Sequence, residues 1–354
     1  MRPNLHEINL HERPLLVFWE VTRACALACK HCRATAQPHA HPDELNSAEA
    51  LKLVDDLVGL NPAMLVLTGG DPVMRRDIHD IIRAAAGKGL HVALSPAATA
   101  RLLHEDFAAL KESGVKSMSL SLDGATEATH DAFRGIPHTF ERTLEAARRA
   151  REAGIHLQVN TTITRSTLAE FDAFVELMKE IRPDMWSVFL LVPTGRAILD
   201  QMPTAEQVEE VWHRLAQVSK EVPFGVKTTE GHHFRRVALQ EARAHGEKPA
   251  RRAVPTRDGK GILFISHTGE IQPSGFLPVT TGNVRSDNVA DVYRNHPLFR
   301  KLRDDNALTG KCGRCEYRTV CGGSRSRAYA VFGDAFAEDN LCCYQPVKKT
   351  SSHD

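Results

Sequence analysis

The sequence predicts an α/β fold: a partial (β/α)6 barrel of the TIM type, followed by a cysteine-rich C-terminal domain. Three observations carry that prediction. Apolar, β-rich runs alternate six times with amphipathic helical periods between Leu15 and Lys220, the pattern of a parallel sheet covered by helices. Gly87, Gly89, Gly114 and Gly154 stand where those helices should stop. The residues able to carry chemistry follow the strands, at the C-terminal ends where a βα barrel keeps its site. Six units are two short of a closed eight-fold barrel.

Residues 1–14 form a polar lead-in, too short to be a domain. Strands are expected over Leu15–Val21, Ala63–Thr68, His91–Ser95, Ser117–Leu122, His156–Ile163 and Met185–Val192. Helical periodicity fills Ser47–Leu60, Asp77–Lys88, His104–Glu112, Thr139–Ala153, Thr167–Ile181 and Ala205–Lys220. Ser47, with Glu49 and Ala50 behind it, is a plausible helix start. The barrel is thus expected over residues 15–225 and a second domain over 261–354, with a basic linker at 226–260. From Gly231 to Lys260 the chain holds eight Lys/Arg and three Asp/Glu, a local charge of +5. That window is either a solvated linker or a basic flap that attracts a carboxylate-rich substrate. A hairpin over 261–276 opens the C-terminal part.

Composition narrows the function. At 354 residues the chain has room for two domains of ~150 residues each. Its 42% apolar and 25% charged residues are ordinary for a globular protein. A formal charge of +1 gives no case for nucleic-acid or membrane binding. No apolar run reaches ~18 residues, and Met1–Glu7 lacks the apolar core of a signal peptide, so a cytoplasmic location is expected. Eight cysteines in two tight groups then read as metal or redox ligands rather than disulfides.

The first group is Cys25, Cys29 and Cys32, a C-x3-C-x2-C run directly after the first strand. Thiolates are soft ligands for zinc or iron–sulfur clusters. A zinc loop would want a fourth ligand nearby; His31 lies between two of the cysteines and cannot easily turn onto the same ion. Three thiolates can instead hold three irons of a [4Fe–4S] cluster and leave the fourth open to chemistry. After strand two comes Gly69-Gly70-Asp71-Pro72, where glycines let backbone approach a ligand closely. The later strands end in Ser95-Pro96-Ala97-Ala98-Thr99, in Ser121-Leu122-Asp123-Gly124 with His130-Asp131-Ala132-Phe133-Arg134-Gly135 beyond it, in Asn160-Thr161-Thr162 and in Pro193-Thr194-Gly195-Arg196.

The C-x3-C-x2-C run, the glycine pair some forty residues later and the strand-end series together resemble the radical S-adenosylmethionine (SAM) superfamily over residues 15 to about 200. The resemblance implies that a [4Fe–4S] cluster on Cys25, Cys29 and Cys32 binds SAM and cleaves it to a 5′-deoxyadenosyl radical. It implies that Gly69, Gly70 and Asp71, at the place of the family's G-G-E-P motif, hold the SAM amino group. Ser95, Ser121 and Asn160 would contact the ribose, with Ser121 reaching either ribose or carboxylate; Arg134 would pair with the carboxylate, and the turn at Pro193 would pack the adenine. A bulky residue at Gly70 is then expected to weaken SAM binding and spare the iron. Aspartate replaces the family's glutamate at position 71, and His31 stands where an aromatic residue is frequent.

The second cysteine group is Cys312, Cys315 and Cys321, a C-x2-C-x5-C run, with Cys342 and Cys343 beyond it. This resembles the SPASM extension of radical SAM enzymes, which normally carries two auxiliary clusters. Ser274 and Arg325 occupy two positions where that pattern has cysteine, and a third cysteine, before the hairpin, is missing. One auxiliary [4Fe–4S] cluster is therefore expected, on Cys312, Cys315, Cys321 and Cys342, although zinc would also suit four thiolates. Arg325 is open to two readings, a receptor for a substrate carboxylate or a filler of volume. Trp19-Glu20-Val21-Thr22-Arg23-Ala24-Cys25, Ile265-Ser266-His267-Thr268-Gly269-Glu270 and Cys315-Glu316-Tyr317-Arg318 most resemble the haem-biosynthesis group, whose enzymes trim side chains of sirohaem-derived tetrapyrroles. Such an enzyme would draw electrons from a flavodoxin or ferredoxin. The alternatives are modification of a ribosomally made peptide, or a non-catalytic iron–sulfur carrier or zinc scaffold.

Overall fold

The computed structural model describes residues 8–247 and 254–347. Eight strands lie parallel in one sheet: β1 (Leu16–Glu20), β2 (Met64–Thr68), β3 (Val92–Leu94), β4 (Val115–Ser121), β5 (His156–Ile163), β6 (Met185–Leu190), β7 (Gly225–Thr229) and β8 (Ile262–Ile265). Two short antiparallel strands, β9 (Glu270–Gln272) and β10 (Gly282–Asn283), extend it, and the order is β10-β9-β8-β1-β2-β3-β4-β5-β6-β7. Helices α1 (Ser47–Leu60), α2 (Ile78–Gly87), α3 (Ala100–His104), α4 (Phe107–Glu112), α5 (Glu127–Arg134), α6 (Thr139–Glu152), α7 (Phe171–Ile181), α8 (Ala205–Glu221) and α9 (Phe234–Ala244) lie within the part of the chain that builds β1–β8. Beyond the hairpin come α10 (Val289–Asn295), α11 (Pro297–Arg303), α12 (Gly310–Arg314) and α13 (Arg325–Phe332). No helix among the described residues is long and apolar enough to cross a membrane.

Each strand's alternation decides its two faces. Val17 and Trp19 of β1, Leu65 and Leu67 of β2, Met118 and Leu120 of β4, Leu157 and Val159 of β5 and Trp186 and Val188 of β6 join one core with the helices' Leu53, Val54, Leu57, Ile81, Ile82, Phe174 and Leu215. Each of these side chains removed from water contributes ~1.5–3 kcal/mol before conformational entropy is subtracted. The opposite face carries Glu20, Thr68, Ser119, Ser121, Gln158, Asn160, Thr162, Ser187 and Lys227, which share registers across the sheet. A parallel sheet packed on both sides would be apolar throughout. This one carries those polar side chains on its inner face, beside Phe18 and Phe189.

Several elements match the sequence reading, among them α1, β5 and the start of α6. Helix α1 starts at Ser47 as expected and is capped by Asn46, whose side chain accepts from Glu49 N while the Glu49 side chain accepts from Asn46 N. The helix expected over His104–Glu112 divides into α3 and α4 because Asp106 caps a fresh start, accepting from Ala108 N and Ala109 N. A larger correction concerns residues 226–260. They are not a linker, since β7 completes a seventh βα unit and α9 packs on α8; residues 248–253 lie outside the described residues. The C-terminal part is not set apart from the barrel either, because β8 pairs with β1 over Leu16–Trp19.

Buried polar groups fasten this extension. The Arg327 guanidinium, fully buried, donates to both Asp339 carboxylate oxygens at 2.9 and 2.7 Å and to the Glu230 carbonyl at 2.9 Å. Asp258 accepts from Ser326 N and Ser326 Oγ, both at 2.9 Å, and Arg235 donates to the Thr256 carbonyl at 3.0 Å. Arg235, Arg236, Arg257 and Lys260 of the expected linker are thus spent on internal carbonyls and carboxylates. Removing one partner of a buried pair leaves the other charge uncompensated, so Asp339→Ala should cost about 3 kcal/mol or more, read as a lower denaturant midpoint. An Arg327→Met/Asp339→Leu double change should recover much of that loss. A single variant as stable as the parent would mean that the pair does not anchor the extension.

Candidate active site

The cysteine loop has almost no regular structure of its own, so its backbone polar groups must be satisfied from elsewhere. Two strand-end loops and the end of α5 supply them. Gly70 N and Asp71 N, after β2, donate to the Thr22 and Ala24 carbonyls, both at 2.8 Å. The end of α5 accepts from the loop, with Ala28 N to Arg134 O at 3.2 Å and Lys30 N to Phe133 O at 3.0 Å. Arg196 N, after β6, donates to Cys32 O at 3.0 Å. Cys25 N and Gln37 O close the loop's base at 2.8 Å.

Glycines make these approaches possible. A Cβ on Gly70 would lie 2.5 Å from Ala24 O and 2.6 Å from Arg23 O. On Gly195 it would lie 2.4 Å from the carbonyls of Cys32 and Arg33, and on Gly135, at φ 76°, 2.9 Å from Ala28 O. Each glycine is therefore a seat for the cysteine loop. This revises the expectation for Gly70, whose nearest constraint is that loop.

The thiols themselves are drawn together. Cys25 and Cys29 share a small buried cluster with Leu27 and Ala36, and Cys32 packs against it. Leu27 N points at Cys25 Sγ (3.3 Å), Ala36 N at Cys32 Sγ (3.4 Å) and Arg134 Nη1 at Cys29 Sγ (3.5 Å). Donors aimed at sulfur suit thiolates, and burial pushes the Cys25 thiol up to about 12, so a metal would be needed to hold it deprotonated. These donors fit a cluster on the three sulfurs. Among the described residues, no three His, Cys, Asp or Glu side chains converge as they would around a single metal ion.

The other expected contacts divide. Ser121 and Asn160 stand in register on β4 and β5, Ser95 follows β3, and Pro193 follows β6. Asp71 is fully buried: its carboxylate accepts from Thr99 Oγ1 at 2.8 Å and from Ala97 N and Val73 N, and burial raises its pKa to about 6. That side chain binds the neighbouring loop, which leaves the Gly69–Asp71 backbone as the part able to meet a ligand. Arg134 differs more from expectation. Its guanidinium lies 2.5 Å from Asp123, beside Cys29. Asp123 in turn accepts from Thr162 N at 2.7 Å, and His31 Nε2 lies 3.6 Å from it, with burial lowering the His31 pKa to about 4. Asp123 is thereby enclosed and not at the barrel mouth.

Glu20, Arg33 and His267 form a buried charge cluster beside the cysteine loop that residue-by-residue reading left unassigned. Glu20, buried at the end of β1, accepts from Arg33 Nη2 at 2.7 Å and Arg23 Nε at 3.1 Å, and His267 Nδ1 stands 2.9 Å away. Burial opposes its charge, but the Arg33, His267 and Arg23 partners outweigh that and bring the pKa to about 2. A lone acid closing an apolar strand was the signal available in the sequence.

The second cysteine group also assembles. Cys312, Cys315, Cys321 and Cys342 line one pocket with His233, Arg236 and Tyr344, and Cys343 is not among its lining residues. Asp339 N and Gly323 N point at Cys312 Sγ and Cys321 Sγ, each at 3.4 Å. Burial pushes the Cys321 and Cys342 thiols up to about 12. The donor set fits a cluster with four thiolates. Arg325 is fully buried, donating to the Ala335 and Ala337 carbonyls at 2.8 and 2.6 Å, with Nη2 at 3.8 Å from Cys312 Sγ. It fills the space and is closed to a substrate carboxylate.

A barrel whose strand ends converge on a three-cysteine loop defines a class, and comparison with known proteins agrees. Residues 19–178 match the model of the radical SAM superfamily. The chain is 42% identical over 344 residues to the AdoMet-dependent heme synthase of Nitratidesulfovibrio vulgaris, covering 95% of this chain and 94% of that one. It is 37% identical to the protein of that name from Methanosarcina barkeri, over 97% of this chain and 100% of the relative. Among solved structures, Streptococcus suis SuiB bound to S-adenosylmethionine superposes with a TM-score of 0.71 at 16% identity, covering 94% of this chain and 78% of that one. The chain belongs to the radical SAM superfamily and is an enzyme. Membership implies a [4Fe–4S] cluster and SAM, which the three-cysteine loop suits.

Gly70→Val tests the revised role of that residue. It should lose the iron of the first cluster together with SAM cleavage, because the side chain must displace backbone rather than a flexible tip. Full iron content with only SAM affinity lost would restore the ligand-contact role.

Proposed function

We propose that this enzyme acts in haem biosynthesis, using a 5′-deoxyadenosyl radical to abstract hydrogen from a carboxylated side chain of a tetrapyrrole. The observation that carries the reading is the 42% identity, across nearly the whole of both chains, to a relative named AdoMet-dependent heme synthase. The polar inner face of the sheet supports it, since a substrate with several carboxylates needs hydrogen-bonding walls.

Cys25, Cys29 and Cys32 hold the first cluster in this reading, which together with SAM supplies the radical. The backbone of Gly69–Asp71 receives the SAM amino group, and Ser95, Ser121 and Asn160 offer hydroxyl and amide groups to its ribose. The Pro193 turn flanks the adenine. Arg134 steadies the Cys29 sulfur and pairs with Asp123, which leaves the SAM carboxylate to other donors. Cys312, Cys315, Cys321 and Cys342 hold one auxiliary [4Fe–4S] cluster, which would take up or supply an electron. A flavodoxin or ferredoxin is the proposed reductant.

Two measurements test the assignment. Cys29→Ala should abolish 5′-deoxyadenosine formation, because two remaining thiolates cannot retain an open-iron cluster; normal cleavage would end the reading. The thiol count leaves five cysteines after the first three, enough for one further cluster, so the native chain should bind about eight irons and the Cys25/Cys29/Cys32 triple-Ala variant about four after anaerobic reconstitution. About eight irons in the variant would show a second auxiliary cluster.

A further inference from the structure

Cations near the site are mostly spoken for. Arg33 pairs with Glu20, Arg134 with Asp123 and Lys260 with Asp305. Lys227 differs: among the described residues it, like Arg196 beside the cysteine loop, forms no ion pair within 4.0 Å. It is the middle residue of β7, and Val226 beside it packs against the outer core, so alternation turns Lys227 to the inner face. Its register row runs Ser121–Asn160–Ser187–Lys227. Two residues on, Thr229 shares its face and exchanges a hydrogen bond with Ser187, Oγ to Oγ1 at 3.1 Å. The lysine is exposed, yet burial by its surroundings lowers its pKa to about 8 with no acid opposing the shift. An exposed ammonium with no acid beside it is free to meet an anionic ligand.

We propose that Lys227 receives a carboxylate of the substrate on the inner face of the sheet, beside Thr229, whose hydroxyl is held by the buried Ser187. The assignment rests on the tetrapyrrole reading above and adds to it the group that recognises the acidic side chains. The same row carries Ser121 and Asn160, so a carboxylate anchored at Lys227 would fix the substrate on the wall that those two residues share.

The test uses reconstituted holoenzyme under anaerobic conditions, comparing the native chain with Lys227→Gln and Lys227→Arg. Binding of an iron porphyrin bearing four propionates, and of its tetramethyl ester, is followed by absorbance titration, with iron content as the control for folding. Lys227→Gln should retain its iron and bind the free acid about ten-fold more weakly or worse, with ester binding unchanged. Lys227→Arg should keep most of the preference for acid over ester. Unchanged free-acid binding by Lys227→Gln would overturn the assignment alone. A native enzyme that binds neither porphyrin would sink the tetrapyrrole reading and this site with it.

Discussion

The fold depends on one constraint: a loop that must present three sulfurs cannot also pair its own backbone. Buried N–H and C=O groups left unpaired cost a few kcal/mol each. Here the loops after β2 and β6 and the end of α5 take them up, at Thr22, Ala24, Ala28, Lys30 and Cys32. Each of these partners is fixed to a different strand or helix, so the sulfur positions are set by the sheet as a whole. Gly70, Gly135 and Gly195 belong to the same arrangement, since a methyl group at any of them would push the loop away from its donors.

Charge ties that loop to the C-terminal part. Glu20 ends β1 with no solvent access, yet three cationic or polar partners converge on it, two from the cysteine loop and one, His267, from the β8–β9 hairpin. Arg33 also lies over the Phe264 ring at 4.7 Å. A carboxylate held well below its ordinary pKa contributes stability above that ordinary value and loses it as pH falls toward about 2. The hairpin is thus part of the sheet that frames the site, which is why dividing the chain into barrel, linker and extension misdescribes it.

The sequence was most legible where period and capping agreed, as in α1 and β5. It was least legible where polar residues have structural duties. Strand β7 was overlooked because Lys227, Thr228 and Thr229 break the apolar run that marks a buried parallel strand, and Lys227 and Thr229 do so on the inner face. Helix α5 was missed because only His130 and Phe133 of its eight residues are buried. The two cysteine groups stood out by their spacing, since C-x3-C-x2-C and C-x2-C-x5-C constrain chemistry before they constrain shape, and Cys342 was added to the second from the family resemblance. The roles of Asp71, Arg134 and Arg325 were not, because a charged residue near a site reads alike whether it faces ligand or protein.

That ambiguity has a physical resolution, which is to ask what already satisfies each polar group. Asp71 has three donors, Arg134 has an acid and a sulfur, and Arg325 has two carbonyls. Each is turned toward those protein partners. Ser121 and Lys227 have no such internal partners among the described side-chain contacts, and they share one register row of the inner face with Asn160, whose amide oxygen accepts from Gln158 at 2.7 Å. Most buried charges here are met by an opposite charge, a hydroxyl or a carbonyl, whereas Lys227 stands exposed with no acid beside it, which suits the proposed acidic ligand. The substrate-facing wall is therefore defined less by which residues are polar than by which of them the fold has left unsatisfied.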